Sequence, residues 1–348
     1  MTDTAERADA PTAASAEVAV RDLTVCFRTD RGELPAVSHA NLTLAAGRIT
    51  GLVGESGSGK STLALSLLGA VPAPGRITSG SVSIAGVGEV TKLTGAKLRQ
   101  VRGGHVGYVF QASQNSLNPL KTVGRQLLDL GRAHDVEDLP GLVRRARELC
   151  ALMGMDGKRV LDAYQHELSG GMRQRVGIVF ALVLNAKVLV LDEPTTALDM
   201  LSQAAVLQII AQVHREIGLT TLIVTHDMGV VSELADRLAV MYGGRIVEDG
   251  PAEEVLGSPS HPYTKALINA TARVAGDIGR ARALPGRPPD LVSIPAEGCV
   301  FRERCAFAMD VCETVEPELA PWREDRRRAC HAEAETVTGA VTEAVTGS

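Results

Sequence analysis

Long hydrophobic runs are missing from this sequence. The longest apolar stretch, VGIVFALVL at 176–184, is about half of what a bilayer-spanning helix needs. An apolar centre is missing from MTDTAERADAPTAASA as well, and this stretch does not read as a secretory signal. Positive charge is not in excess, since 36 Lys and Arg face 41 Asp and Glu, and a global electrostatic case for nucleic acid is excluded. Arginine clusters at Arg144, Arg145 and Arg147 and at Arg326–Arg328 read as solvated faces. Six cysteines in 348 residues are too few for a disulfide scaffold. These absences lead to the expectation of a cytosolic chain with reduced thiols. In that setting clustered cysteines point to metal or redox chemistry before a staple, and GCVFRERCAFAMDVC (298–312) followed by Cys330 is such a cluster. Cys26 and Cys150 read as buried singletons.

What is present alternates between two periodicities. VAVRDLTVCF (18–27), RITGLVG (48–54), GSVSIAG (80–86), HVGYVF (105–110), VLVLDE (188–193) and TTLIVTH (220–226) read as strands, with two more near 238–242 and 245–248. Helices are expected at 59–69, 171–184, 202–217 and 229–235. From about 115 to 167 the pattern is helical throughout. Strands alternating with helices predict an α/β domain with a mostly parallel sheet, interrupted by a helical block. PGRPPDLVSIPAEG (285–298) reads as a linker. Residues 1–16 and 332–348 read as disordered tails.

Three motifs carry chemistry. GESGSGKST (54–62) follows a strand and opens a helix, matching G-x-x-x-x-G-K-[ST]. Gly54, Glu55, Ser56, Gly57, Ser58 and Gly59 would wrap backbone N–H groups around phosphate oxygens. Lys60 would place its charge on the β/γ-phosphates, and Ser61 would offer a hydroxyl to Mg²⁺ beside Thr62. VLVLDEPTTALD (188–199) ends a buried strand in two carboxylates, at the sheet edge where open α/β folds bind ligands. Asp192 would hold Mg²⁺ through water, and Glu193 would accept a proton from an attacking water. ELSGGMRQRV (167–176) offers a second helix N-terminus at Ser169, Gly170 and Gly171.

Lys60 and Ser169 lie 109 residues apart, with Asp192 another 23 beyond. That order resembles the ATP-binding subunits of ABC transporters, over about residues 18–331. The resemblance implies an α/β, P-loop ABC-type ATPase core with an antiparallel β edge. It also implies an inserted α-helical subdomain at about 115–168 and a small Cys-containing C-terminal extension at 261–331, the ATPase domain spanning 17–260. It further implies roles: Gln111 for the Q-loop linking Mg²⁺ to a membrane subunit, Ala197, Leu198 and Asp199 for the D-loop, His226 as the γ-phosphate switch, and Phe27 stacked on adenine. Ser169–Gly171 of one subunit would close on the ATP of another. SGGMRQR with Met172, QASQNSLNPLKTVG (111–124), GSPSHPYTKAL (257–267) and the GRPPDL and cysteine segments are similar to the dipeptide, oligopeptide and nickel importer subfamily. The function implied is ATP hydrolysis powering peptide uptake, with ATP and Mg²⁺, at the cytoplasmic face of the membrane. The implied partners are a second ATPase subunit, two membrane permeases and an extracytoplasmic substrate-binding protein, with no nucleic acid.

Two readings compete: the same role for nickel or a metal chelate, and a nucleotide-driven redox sensor uncoupled from transport. A DNA-repair ATPase needs a long heptad arm between Lys60 and Ser169 that 109 residues cannot supply, and translation-factor ATPases carry two cassettes. Cys299, Cys305, Cys312 and Cys330 are spaced C-x5-C-x6-C-x17-C, unlike the C-x2-C pairs of zinc ribbons. On a straight helix Cys305 and Cys312 would stand about 10.5 Å apart, so the segment must bend if the thiols converge. Four cysteines can ligate an iron–sulfur cluster of the 4Fe–4S type, which the subfamily resemblance also suggests; zinc and four unligated thiols in a small hydrophobic cap are the alternative readings. Arg302, Arg304 and Arg326–Arg328 would favour the thiolates.

Overall fold

A computed structural model of the chain describes residues 15–30, 32–111, 116–196, 198–270, 286–289, 292, 294–295, 297–323 and 325–339. The first half runs β1 (Val18–Thr29), β2 (Gly32–Leu44), β3 (Ile49–Val53), α1 (Lys60–Ser66), β4 (Gly75–Ile84), β5 (Gly88–Glu89), α2 (Gly95–Gly104) and β6 (Val106–Val109). A helical block follows: α3 (Val123–Ala133), α4 (Leu139–Leu152), α5 (Gly157–Asp162) and α6 (Gly170–Leu182). Then come β7 (Val188–Asp192), α7 (Met200–Ile217), β8 (Thr220–Thr225), α8 (Met228–Leu234), β9 (Arg237–Tyr242), β10 (Arg245–Pro251), α9 (Ala252–Gly257) and α10 (Pro262–Ala270). The C-terminal extension adds α11 (Val311–Thr314), β11 (Ala320–Arg323), β12 (Arg326–Arg328) and α12 (Ala334–Gly339).

The central sheet has the order β11-β12-β10-β9-β3-β8-β7-β6. β9, β3, β8, β7 and β6 are parallel, while β10, β12 and β11 pair antiparallel at one edge. ITGLV, VLVLD and TTLIVT are buried at every position, as expected of parallel strands covered on both faces. A second, antiparallel sheet of order β2-β1-β4-β5 stands apart. Its strand β2 escapes the sequence pattern because β1 and β2 pair with three register shifts, and bulges break the two-residue alternation.

Local chemistry sets the helix ends. Asp138 caps α4 by accepting from Gly141 N–H at 2.8 Å, and Asp199 caps α7 by accepting from Ser202 N–H at 2.9 Å. α7 stops at Gly218, whose φ of 71° is the left-handed C-terminal stop that glycine takes without strain. The apolar residues gather in three cores: one joining the helical block to the sheet, one between the two sheets, and one beneath the extension. The third core holds Tyr263, Phe301, Cys299 and Cys312 against Val53 and Tyr242. The extension is therefore packed onto the sheet that carries the phosphate loop.

Several expectations change. Ala16, Ala334 and Val337 are buried, and α12 occupies part of the stretch read as a loose tail; residues 1–14 and 340–348 lie outside the described residues. Arg326–Arg328 is not a solvated face: it forms β12, with Arg326 buried against Glu248 at 2.7 Å and Arg327 paired with Asp249 at 2.6 Å. Cys26 and Cys150 are buried free thiols, as read. No helix among the described residues is long and apolar enough to cross a membrane.

Candidate nucleotide site

β3 delivers the chain into the loop 54–59 and α1. Gly59 has φ 100°, and a Cβ there would stand 2.2 Å from the carbonyl oxygen of Ala36. Only glycine allows the loop to lie that close to β2. Lys60, the first residue of α1, is nearly buried, and Nζ donates to the carbonyl oxygens of Gly54 and Glu55, each at 2.8 Å. Burial holds its pKa below the usual lysine range, against the pull of Glu193, Asp192 and Glu55.

β7 ends beside this loop. Asp192 accepts from Ser61 Oγ at 3.1 Å and from the Tyr108 hydroxyl at 2.9 Å. Burial pushes its carboxyl up, although both hydrogen bonds pull the other way. Glu193 comes next with φ 52°, in the left-handed region that residues with a Cβ seldom enter. Its N–H donates to Val224 O at 2.8 Å, which fixes this turn to β8. One carboxylate oxygen accepts from Thr196 Oγ1 at 3.0 Å, and the other lies 2.9 Å from His226 Nδ1. His226 follows β8 directly and precedes Asp227, which caps α8 through Gly229 N–H at 2.8 Å.

A cleft of about 1030 Å³ opens here. Residues 54–62 line it together with Phe27, Gln111, Glu193 and His226. Five segments distant in sequence thus meet in one space. Ser169, Gly170 and Gly171 do not line it; Ser169 caps α6, accepting from Met172 N–H at 3.3 Å. Asp199 of the D-loop caps α7, while Ala197 and residues 112–115 after Gln111 lie outside the described residues. The oxygen donors of Ser61 and Asp192 suit Mg²⁺, which takes one or two carboxylates and completes its shell with phosphate and water.

Sequence reasoning missed four neighbours. Tyr108 and Thr196 sit within recognised segments, but nothing in a strand pattern assigns their hydroxyls to Asp192 and Glu193. Tyr263 accepts from Glu55 N–H at 2.9 Å, and Arg304 donates to both Glu55 oxygens at 2.7 and 3.0 Å. Arg304, expected to favour thiolates, instead faces the phosphate loop.

The cysteine segment does bend. A 3₁₀ turn at Arg302–Arg304 and the short α11 fold it back, so that Cys299 N–H donates to Cys312 O at 2.8 Å. Burial raises the pKa of Cys299, Cys330 and Cys305, the last to about 11, and neighbouring thiols of the group raise each of them further. Backbone N–H groups oppose this, including Phe307 N–H on Cys305 Sγ at 3.3 Å. The four thiols are therefore neighbours. Among the described residues, however, no three His, Cys, Asp or Glu side chains stand close enough to hold a metal ion, and the expected iron–sulfur cluster gains no support from that geometry.

Comparison with known proteins agrees with this geometry. The ABC transporter family matches residues 37–196, and the oligopeptide/dipeptide transporter C-terminal region matches 247–312. The oligopeptide transport ATP-binding protein OppD of Salmonella typhimurium is 39% identical over 331 residues, 95% of this chain and 97% of that one. The dipeptide transport ATP-binding protein DppD of Caldanaerobacter subterraneus is 38% identical, over 90% and 96%. Among solved structures, the dimeric ABC transporter cassette MJ0796 superposes with a TM-score of 0.57 at 26% identity, covering 68% of this chain and 98% of that one. The cassette cbiO1 from Clostridium perfringens gives 0.59 at 27% identity, covering 69% and 90%. With a phosphate loop, Glu193 and a facing histidine in one cleft, Asp192 hydrogen-bonded to the loop at Ser61, and relatives matching nearly its whole length, the chain belongs to the ABC transporter family of ATP-binding subunits, in the group that carries the oligopeptide/dipeptide transporter C-terminal region.

Proposed function

We propose that the chain hydrolyses ATP to drive uptake of di- or oligopeptides through a membrane transporter. The observation that carries this reading is the convergence of residues 54–62, Gln111, Glu193 and His226 on one cleft. The OppD and DppD names of its relatives support the peptide class. In this reading the ATPase domain spans 17–260, with its helical subdomain at about 115–168, and the extension spans 261–331.

Each residue has a distinct task. Backbone N–H groups of Ser56–Thr62 surround the phosphates, and Lys60 exchanges its bonds to Gly54 O and Glu55 O for phosphate oxygens. Phe27 stacks on the base. Ser61 and Asp192 would hold Mg²⁺, with Gln111 of the cleft lining as a further ligand; the ion would supply charge stabilisation to the phosphate oxygens. Glu193 takes the proton of the attacking water. Thr196 and His226 hold its two oxygens in place, while a carboxylate keeps lone pairs free for that water. His226, exposed beyond this contact, reaches toward the γ-phosphate. Catalysis is then positioning and charge stabilisation.

Ser169–Gly171, outside this cleft, serves the site of a second ATPase subunit; the dimeric state of the cassette MJ0796 supports such a pair. Two permeases anchor the pair at the cytoplasmic face of the membrane, and an extracytoplasmic binding protein delivers cargo. A 4Fe–4S cluster on Cys299, Cys305, Cys312 and Cys330 rests on their number and on the subfamily resemblance, not on the geometry of the described residues. Anaerobic purification with iron and sulfide assays decides that part: colourless, iron-free protein with four free thiols excludes it. The ATPase reading is tested by Mg²⁺-dependent release of phosphate from ATP by the full chain; no release with or without its membrane partners overturns it.

A further inference from the structure

Glu55 puts a carboxylate into a loop shaped for phosphate oxygens, where its charge opposes the ligand's. Two side chains of the C-terminal extension meet it. Arg304 donates Nη1 to one Glu55 oxygen at 2.7 Å and Nη2 to the other at 3.0 Å, a bidentate fork. The Arg304 side chain is 7% exposed and that of Glu55 18%, so salt screens the pair weakly. Tyr263, fully buried, accepts from Glu55 N–H. The guanidinium is itself braced: it lies 5.7 Å from the Tyr242 ring centre, and Phe301 packs edge-on against Tyr242 and Tyr263 at 5.1 and 5.3 Å. Tyr242 ends β9, and two residues on Gly244 N–H donates to Ser58 O at 3.0 Å. The loop is thus gripped at both Glu55 and Ser58.

We infer that Arg304 is a positioning residue for the nucleotide site: it neutralises Glu55 and fixes the entry of the phosphate loop, which makes the C-terminal extension part of the ATP-binding apparatus. The inference rests on the ATP reading above. Removing the guanidinium leaves an unpaired carboxylate facing the triphosphate and frees the loop to shift, so the loss falls on binding rather than on proton transfer.

The test uses the full-length chain with Mg-ATP, measuring Kd, KM and kcat. Arg304→Ala is expected to raise Kd and KM about tenfold, with kcat changed less than about threefold. Adding Glu55→Gln to Arg304→Ala removes the stranded charge and is expected to recover most of that loss. A merely structural arginine gives no such recovery. Wild-type affinity in Arg304→Ala, or a double variant no better than the single one, overturns the inference. If the alanine variant fails to fold, Arg304→Lys keeps the charge but loses the fork: a loss of ATP affinity that Glu55→Gln recovers supports the inference, and wild-type affinity, or a loss that Glu55→Gln does not recover, contradicts it. Failure of the wild-type chain to bind ATP sinks the underlying ATP reading instead, whereas binding that Lys60→Ala abolishes and Arg304→Ala leaves intact sinks this inference alone.

Discussion

Glu193→Gln separates binding from chemistry at this site. The amide keeps the shape of the carboxylate, and Thr196 Oγ1 can still donate to its oxygen as it does now at 3.0 Å. The side chain is 10% exposed, and exchanging a charged for a neutral acceptor costs about 1 kcal/mol of stability. Glu193 also adds to the negative field acting on Asp192 and Lys60. Its removal leaves the triphosphate facing less negative charge, so ATP affinity is expected to hold or tighten. An amide cannot take up the proton of water, and turnover should fall by about 10²–10⁴. That is roughly 2.7–5.5 kcal/mol of barrier. Single-turnover hydrolysis of Mg-ATP, with binding measured in parallel, gives both numbers. Turnover within about threefold of wild type would falsify the assignment of Glu193 as the proton acceptor.

Two further predictions concern the extension. Arg326→Ala takes the paired cation from the buried Glu248 carboxylate, which keeps its bonds from Ser260 and His261, and both side chains of that pair are at most 1% exposed; unfolding in denaturant should show a loss of about 3 kcal/mol, and a loss below about 1 contradicts the buried pairing. His261 is buried, which lowers its pKa to about 4, with Arg328 pushing the same way and Glu248 opposing. The unfolded chain binds a proton below about pH 6.5 that the folded chain refuses until about pH 4, so stability falls with acidification across that window. The loss is on the order of 3 kcal/mol, and urea unfolding from pH 7 to pH 4 should show a smaller slope in His261→Gln; parallel curves for variant and wild type refute it.

The nucleotide half of the site was legible because its chemistry is local. Residues 54–62 and 188–193 each place their groups through one strand and one turn, so their spacing already encodes their geometry. The left-handed turn at Glu193 was not legible, since it depends on the hydrogen bond to Val224 across the sheet. β2 was hidden by its bulges, and β11 and β12 by their shortness and arginine content. Arg326–Arg328 looks like a solvated run until β10 supplies Glu248 and Asp249 opposite it. The grip of Arg304 on Glu55 spans 249 residues of sequence, and no periodicity carries information over that distance. Only the packing of Phe301 and Tyr263 onto the sheet brings the two together.

ATP turnover in this cleft powers peptide entry. Uptake of a radiolabelled oligopeptide by cells whose only copy of the chain carries Lys60→Ala tests it most directly. Lys60 supplies the positive charge seated within the loop, buried and held by Gly54 O and Glu55 O. The expected result is uptake reduced to background, restored by the wild-type chain. Uptake at the wild-type rate in the Lys60→Ala cells would show that peptide entry does not depend on this cleft.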